Sequence, residues 1–359
     1  MATIAERPAA ALEQARAAER RRRRRRSARR RQLVALAFMS PWIIGFSAFY
    51  VYPMVSSLYF SFTKYDILSQ PKWVGLANYR FMFTSDPLFW VAIRNTLWII
   101  AIMVPLQVLF GIVTATVLTR IKRGLPFYRT VFFLPTMVPL VAAALGFIYL
   151  LNPAGPLNRI LGLLHLPEPL WFVDPRWTKP GLTLIGLWGI GQVMIIFLAS
   201  LLDVPRQLYE AADLEGAGPW QTFRHVTLPM ISPVIFFSVL IGMIQGLQYF
   251  TQAFVVSKAG DRTNEVGYPQ DSLLFYSSRL YQQGFEGFHM GYAAALSWVM
   301  FLVIMACTLA LIRSSRRGSI TREGSGERHH GRRHRGLRRA VAAPGAAGDP
   351  APPAAAGGR

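Results

Sequence analysis

Residues 210–229 read EAADLEGAGPWQTFRHVTLP, a polar stretch punctuated by glycine and proline. It lies between two runs, 182–202 and 234–256, that contain no Asp, Glu, Lys or Arg. Each run is long enough to cross about 30 Å of hydrocarbon as a helix. Working outward, four more charge-free runs of that length occur at 33–52, 97–118, 131–151 and 292–312. In a chain of 359 residues that is 52% apolar and 16% charged, a bilayer is the expected solvent. The predicted fold is therefore an all-α polytopic membrane protein with six transmembrane helices. An even number of spans places both termini on one side.

The distribution of Lys and Arg says which side. The N-terminal arm 1–32 holds 12, the loop 119–129 holds 4, the hairpin loop 203–232 holds 2 and the tail from 313 holds 11, together 29 of 39. The alternate loops hold the remaining 10, so the termini are expected to be cytoplasmic. The hairpin is itself slightly acidic, and strict alternation of spans is what places it inside. The chain divides into an Arg-rich arm (1–32), a transmembrane domain (33–314) and a basic, then Pro/Ala/Gly-rich tail (315–359). The tail is too poor in large apolar side chains to fold and is expected to be disordered.

The net charge of +21 invites a nucleic-acid reading. The Arg runs, however, adjoin spans and carry no interleaved aromatics, which suits topology control and contact with anionic lipid. No nucleic-acid partner is expected. The first span follows about thirty hydrophilic residues without a small-residue cleavage site behind it, and reads as an uncleaved anchor. The single Cys307 lies mid-span and reads as a packing residue. None of the five lysines follows a glycine, so no phosphate-binding loop of the G-x-x-x-x-G-K-[ST] type exists. H-E-x-x-H, zinc-spaced Cys/His and G-x-S-x-G are also absent from the sequence. Catalytic residues, a metal site and a resident cofactor are not expected.

With no ionisable residue in any span, ion-driven transport loses support. The fifth span instead carries Gln245, Gln248, Tyr249 and Gln252. Spaced i, i+3, i+4 and i+7, they would share one helical face. A polar stripe of amides and a phenol suits a path for a neutral, hydroxyl-rich solute, and Gln as interhelical glue is the plainer alternative. In the hairpin, Asp203 is placed to cap a helix through Ala211, Ala212 and Leu214. Gly216 and Gly218 break it, Pro219 opens a second helix, and Leu228–Pro229 closes it. Such a knob of two short helices is costly unless a partner grips it. Trp73, Tyr79, Trp171 and Trp177 read as an interfacial aromatic belt.

Glu210-Ala211-Ala212, then Gly216, Val226 and Leu228-Pro229, resembles the EAA loop of permease subunits of binding-protein-dependent ABC importers, with Val226 where Ile is usual. Four further stretches are similar to the carbohydrate branch of that family, which includes maltose and glycerol-phosphate permeases. They are WVGLANYRFMF with DPLFWVAIRNTL (73–83 and 86–97), FYRTVFFLPTMVP (127–139) and GYAAALSWVMFLVIM (291–305). The stretch SKAGDRTNEVGYPQ (257–270) departs from the family's Gly-Gly-Pro segment. The resemblance implies a type I importer permease fold in the bacterial plasma membrane. Its implied partners are a second permease chain in a heterodimer, an ABC ATPase dimer that hydrolyses the ATP, and an extracytoplasmic solute-binding protein. It also implies that Glu210 bonds a basic or polar group of the ATPase, that Ala211 and Ala212 pack closely and that Gly216 permits the turn, while Val226 belongs to the same coupling loop and Phe223, Leu228 and Pro229 anchor it to the membrane core. A sugar or oligosaccharide is the expected solute, with Arg94 and Arg279 as the groups that would serve a phosphate ester. A self-contained secondary transporter and a membrane glycan enzyme using Glu265 and Asp271 are the rival readings.

Overall fold

The computed structural model describes residues 31–121, 123–260 and 265–337, with side chains as far as Arg313. The arm 1–30, part of the departing loop at 261–264, and the tail beyond 337 lie outside the described residues, as do the side chains of His329, His330 and His334. Among the described residues the fold is helical, apart from one antiparallel two-residue ladder. In chain order, α1 (Arg31–Ser61) precedes β1 (Thr63–Lys64) and β2 (Lys72–Trp73), with Thr63 opposite Trp73. Next come α2 (Ala77–Thr84), α3 (Pro87–Thr119), α4 (Leu125–Phe133) with a 3-10 turn at Leu134–Met137, and α5 (Leu140–Leu150). They are followed by α6 (Pro156–Leu163), α7 (Pro175–Trp188), α8 (Gly191–Leu202) and α9 (Arg206–Leu214). The described residues close with α10 (Pro219–Leu247), α11 (Thr251–Gly260), α12 (Tyr276–Tyr281) and α13 (Met290–Leu337). Among the described residues four helices are long and apolar enough to span a membrane: α1, α3, α10 and the Met290–Arg313 part of α13. The pairs α4/α5 and α7/α8 raise the number to six if each is one span.

Expectation and structure differ at several breaks, each with a physical cause. The third span is two helices because Pro139, at φ −54° and ψ 137°, is extended, and the residue before a proline is driven out of the α region. The fourth breaks at Gly189–Ile190, where glycine-rich sequence holds a helix weakly. The fifth begins at Pro219 instead of 234 and stops at Leu247. Pro229 does not end the helix because a π-turn at Phe223–Thr227 comes first, with the Leu228 N–H reaching back to the Phe223 carbonyl. That wider turn accommodates the ring and the missing donor of proline. The same device, at Ser47–Val51, precedes Pro53 in α1. The last helix runs to Leu337, where a disordered tail was expected from 315. Continuing a formed helix requires no new nucleus, and no proline occurs between Pro269 and Pro344.

The chain falls into two compact units. The first comprises the described residues to Ala101 with Val138–Ile185 and Leu247–Phe301. Its core joins Met82, Phe89, Tyr276, Tyr292, Ala295 and Leu296. Asn95, 1% exposed, donates from Nδ2 to the carbonyls of Asp271 (2.7 Å) and Leu274 (2.9 Å), and the Tyr276 N–H donates to Thr96 Oγ1 at 2.9 Å. These bonds tie the start of α3 to the loop ahead of α12. At the tip of α3, Asp86 Oδ1 accepts the N–H groups of Leu88 and Phe89 and so caps the helix. The same carboxylate accepts from Arg279 Nη2 (2.9 and 3.0 Å) and Nε (3.2 Å), and from the Tyr292 hydroxyl at 2.6 Å. Asp86 and Arg279 are buried, at 3% and 8% exposure, so the pair is desolvated and fully bonded, as a buried ion pair must be.

The second unit comprises Ile102–Met137, Gly186–Gly246 and the described residues from Leu302. Its core is built from Ile112, Ala115 and Leu118 of α3, Met194, Phe197, Leu198 and Leu201 of α8, and Ile231 of α10. Gly191 lets α8 close on the α4 backbone: a Cβ there would lie 2.8 Å from Phe133 Cα. Close backbone approach through a small residue is how membrane helices gain packing without a hydrophobic drive.

Candidate functional site

The hairpin is built by end signals at each helix. Asp203 is not its N-cap: it terminates α8, its N–H bonded to the Ala199 carbonyl, and Pro205 precedes α9 instead. At the other end of α9, Gly216 has φ +76°. The Ala217 N–H bonds the Ala212 carbonyl (3.0 Å) and the Gly216 N–H bonds the Asp213 carbonyl (3.1 Å). This 6→1 and 5→2 pair is a Schellman closure, which requires the left-handed residue that glycine supplies at no steric cost. Pro219 then opens α10, and the Gln221 side chain accepts the Gly218 N–H at 2.9 Å.

One face of the hairpin is held by the protein. Tyr209 and Phe223 pack against the core of the second unit, and the Tyr209 and Thr227 hydroxyls lie 3.2 Å apart. Ala212, 8% exposed, is on this inner face, so it packs within its own chain and not outward as the resemblance implied. The other face is open. Glu210, Ala211 and Gly216 are exposed, as are Leu214 (90%) and Trp220 (68%), the latter stacked on Phe223. Val226 and Pro229 are half-buried and Leu228 is exposed. Sequence reasoning missed Leu214 and Trp220. Both break the amphipathic pattern of a solvated helix pair, and that was the available signal.

The polar stripe of the fifth span is divided. Gln245 lies in the last turn of α10 and Gln252 in α11, while Gln248 and Tyr249 sit in the break between them. The single helical face expected for the four residues is therefore absent. Tyr249 is buried edge-on to Phe275 (5.3 Å), and its hydroxyl has no partner among the described residues. Packing of that ring outweighs helix propensity at 248–250.

Within the second unit, Gln245 joins two residues that the sequence alone did not single out. Gln107 of α3, Gln192 of α8 and Gln245 of α10 converge on a cavity of about 60 Å³ walled by Val104, Ile196 and Phe237. The Ser238 hydroxyl, also lining it, is buried without a partner among the described residues. Gln107 donates to the Gly186 carbonyl at 3.3 Å. A lone Gln in an otherwise apolar span was the sequence signal for Gln107. Amides and a hydroxyl in a water-sized cavity offer both donors and acceptors.

A polytopic helical fold, a hairpin with an exposed face and a small cavity reached by three amides are what a membrane transport subunit would carry. The family model for the binding-protein-dependent transport system inner membrane component matches residues 17–317. The chain belongs to this family: it is a multi-pass permease subunit of the bacterial inner membrane, and the ATP that drives transport is hydrolysed by a partner. It is 38% identical to the probable ABC transporter permease YesP of Bacillus subtilis over 79% of this chain and 90% of that one. Identity is 32% to the lactose transport permease LacF of Rhizobium radiobacter (74% and 89%) and 29% to the arabinooligosaccharides permease AraP of Bacillus subtilis (80% and 89%). Its fold matches a chain of a bacterial ABC transporter involved in the import of alginate, with a TM-score of 0.69 and 24% identity, over 80% of this chain and 96% of that chain.

Proposed function

We propose that this permease carries a neutral sugar or oligosaccharide, with the outward hairpin face docked on an ATPase and the Gln107–Gln192–Gln245 cavity lying on the solute path. The observation that carries the reading is the continuity of α10. From Trp220 on the hairpin to Gln245 at the cavity the chain is one helix, roughly 38 Å at 1.5 Å per residue. A displacement at the hairpin is thereby delivered to the cavity as a rigid-body movement. The docking face is Leu208, Glu210, Ala211, Leu214 and Trp220, with Gly216 setting the turn and Ala212, Phe223, Val226, Leu228 and Pro229 supporting it from behind. At about 60 Å³ the cavity admits water but no sugar, since ligand pockets run to about 300 Å³ or more. The path is closed in this state and opens on the switch. Gln248, Tyr249 and Gln252 are not among the residues that line the cavity.

The sugar assignment is supported by relatives named for arabinooligosaccharides and lactose. The charged alternative loses its main cation, because Arg279 is paired with Asp86. A second permease chain, an ATPase dimer and an extracytoplasmic binding protein complete the assembly. The termini lie on the cytoplasmic side, a reading supported by the Lys and Arg distribution, and the hairpin lies there with them by alternation of spans, where ATP is supplied.

The test is uptake of labelled disaccharides and oligosaccharides by vesicles holding the purified assembly, its binding protein and internal ATP. Gln245→Ala and Gln192→Ala are expected to raise the half-saturating solute concentration about threefold to tenfold, the worth of one or so hydrogen bonds, with ATPase activity retained. ATP-dependent uptake of glycerol phosphate in place of any sugar would overturn the substrate assignment. Unchanged saturation in both variants would remove the cavity from the path.

A further inference from the structure

Helix α6 is amphipathic the wrong way round for a segment facing water. Its exposed stripe is Ile160 (54%), Leu163 (79%) and Leu164 (62%), at i, i+3 and i+4, extended by Leu166 (49%) and Leu170 (46%). Its buried side presents an amide. Asn158, 1% exposed, donates from Nδ2 to the carbonyls of Pro169 (3.0 Å) and Pro153 (3.3 Å) and accepts the Trp171 indole N–H at 2.9 Å. One amide thus pins both flanks of the segment while the leucines point away from the protein. Trp171 is 8% exposed, so it is a clamp of this loop and not a member of the aromatic belt expected from sequence. A surface helix normally turns its apolar stripe inward, and exposed apolar patches of this kind mark a contact.

What covers the stripe follows from where the helix stands. Five residues separate α5, the end of the third span, from α6, and they are folded into turns: Leu151 N–H to Phe147 carbonyl, and Gly155 N–H to Asn152 carbonyl at 2.7 Å. These turns hold the start of α6 close to the end of α5, which is the lipid–water boundary where α4 and α5 together make one span. Its two neighbouring exposed charges, Arg159 and Glu168, are of opposite sign, and His165 is exposed beside them. Apolar area rather than net charge is the available attraction.

We infer that α6 lies in the membrane interface, with Ile160, Leu163 and Leu164 inserted among the acyl chains where the third span ends, as an interfacial anchor for the loop between the third and fourth spans. Because its charges cancel, this contact needs no anionic lipid.

The test uses the full chain with Cys307→Ala, which removes the single native thiol, and Leu163→Cys or Leu164→Cys carrying a nitroxide in phosphatidylcholine vesicles. Power saturation compares collision with oxygen, which partitions into lipid, against a water-soluble nickel chelate. Oxygen accessibility several-fold above that of nickel at both sites, with the order reversed for Gln70→Cys in the exposed 65–71 loop, is expected. The result should persist when phosphatidylglycerol is added. Nickel exceeding oxygen at 163 and 164 would overturn the inference in favour of a water-facing helix. Low access to both reagents would overturn it in favour of protein cover by a partner subunit or the binding protein.

Discussion

Asp86→Ala is expected to destabilise the fold by about 3–5 kcal/mol, the cost of stripping one partner from a buried ion pair. The substitution leaves the Arg279 guanidinium and the Tyr292 hydroxyl buried without their acceptor, and it uncaps α3 at the N–H groups of Leu88 and Phe89. The cap by itself accounts for about 1 kcal/mol. Denaturant titration in detergent, followed by tryptophan fluorescence, measures the loss. Replacing both partners with apolar residues of similar size, Asp86→Leu with Arg279→Met, is expected to restore much of it, because no charge is then stranded. If the double variant loses the sum of the two single losses, the two side chains do not act as a pair.

Gly216→Leu is expected to abolish uptake while leaving the chain inserted and abundant. The space around Gly216 is open, with nothing within 4 Å of a built Cβ, so the penalty is not a clash. It arises from φ +76°, a left-handed conformation that costs an L side chain about 1–2 kcal/mol. The hairpin relieves that strain by losing its Schellman closure, which frees the turn that sets α9, with Leu214, against α10, with Trp220. Gly216→Asn, whose side chain tolerates the left-handed region, is expected to keep most of the activity. Parallel assays of uptake and of ATP hydrolysis in vesicles separate the cases. Equal loss with Asn and Leu would point to the need for a bare backbone against the ATPase, and normal uptake with Leu would remove the hairpin from coupling.

Both expectations rest on features of different legibility. Gly216 is readable from local chemistry, because a glycine after an amphipathic run followed by Gly-Pro admits few geometries. The Asp86–Arg279 pair is not: it joins residues 193 apart in sequence, and nothing local shows that Arg279 is engaged by a carboxylate and withheld from a solute. Gln245 stands out in the sequence for a reason that the structure does not share. The four-residue stripe assumes an unbroken helix, whereas the convergence with Gln107 and Gln192 depends on α3, α8 and α10 packing together.

The sequence by itself determined the solvent, the presence of several candidate spans, the hairpin ahead of α10, and the family, since charge-free length and short-range end signals are properties of contiguous residues. The tertiary structure alone decided where three spans break, that Ala212 faces inward while Leu214 and Trp220 face out, which glutamines share a cavity, and that α6 shows its leucines to the surroundings. Those outcomes are set by packing between segments far apart in the chain, where burying a Tyr249 ring or satisfying an Asn158 amide outweighs the few tenths of a kcal/mol by which local propensity favours one backbone over another.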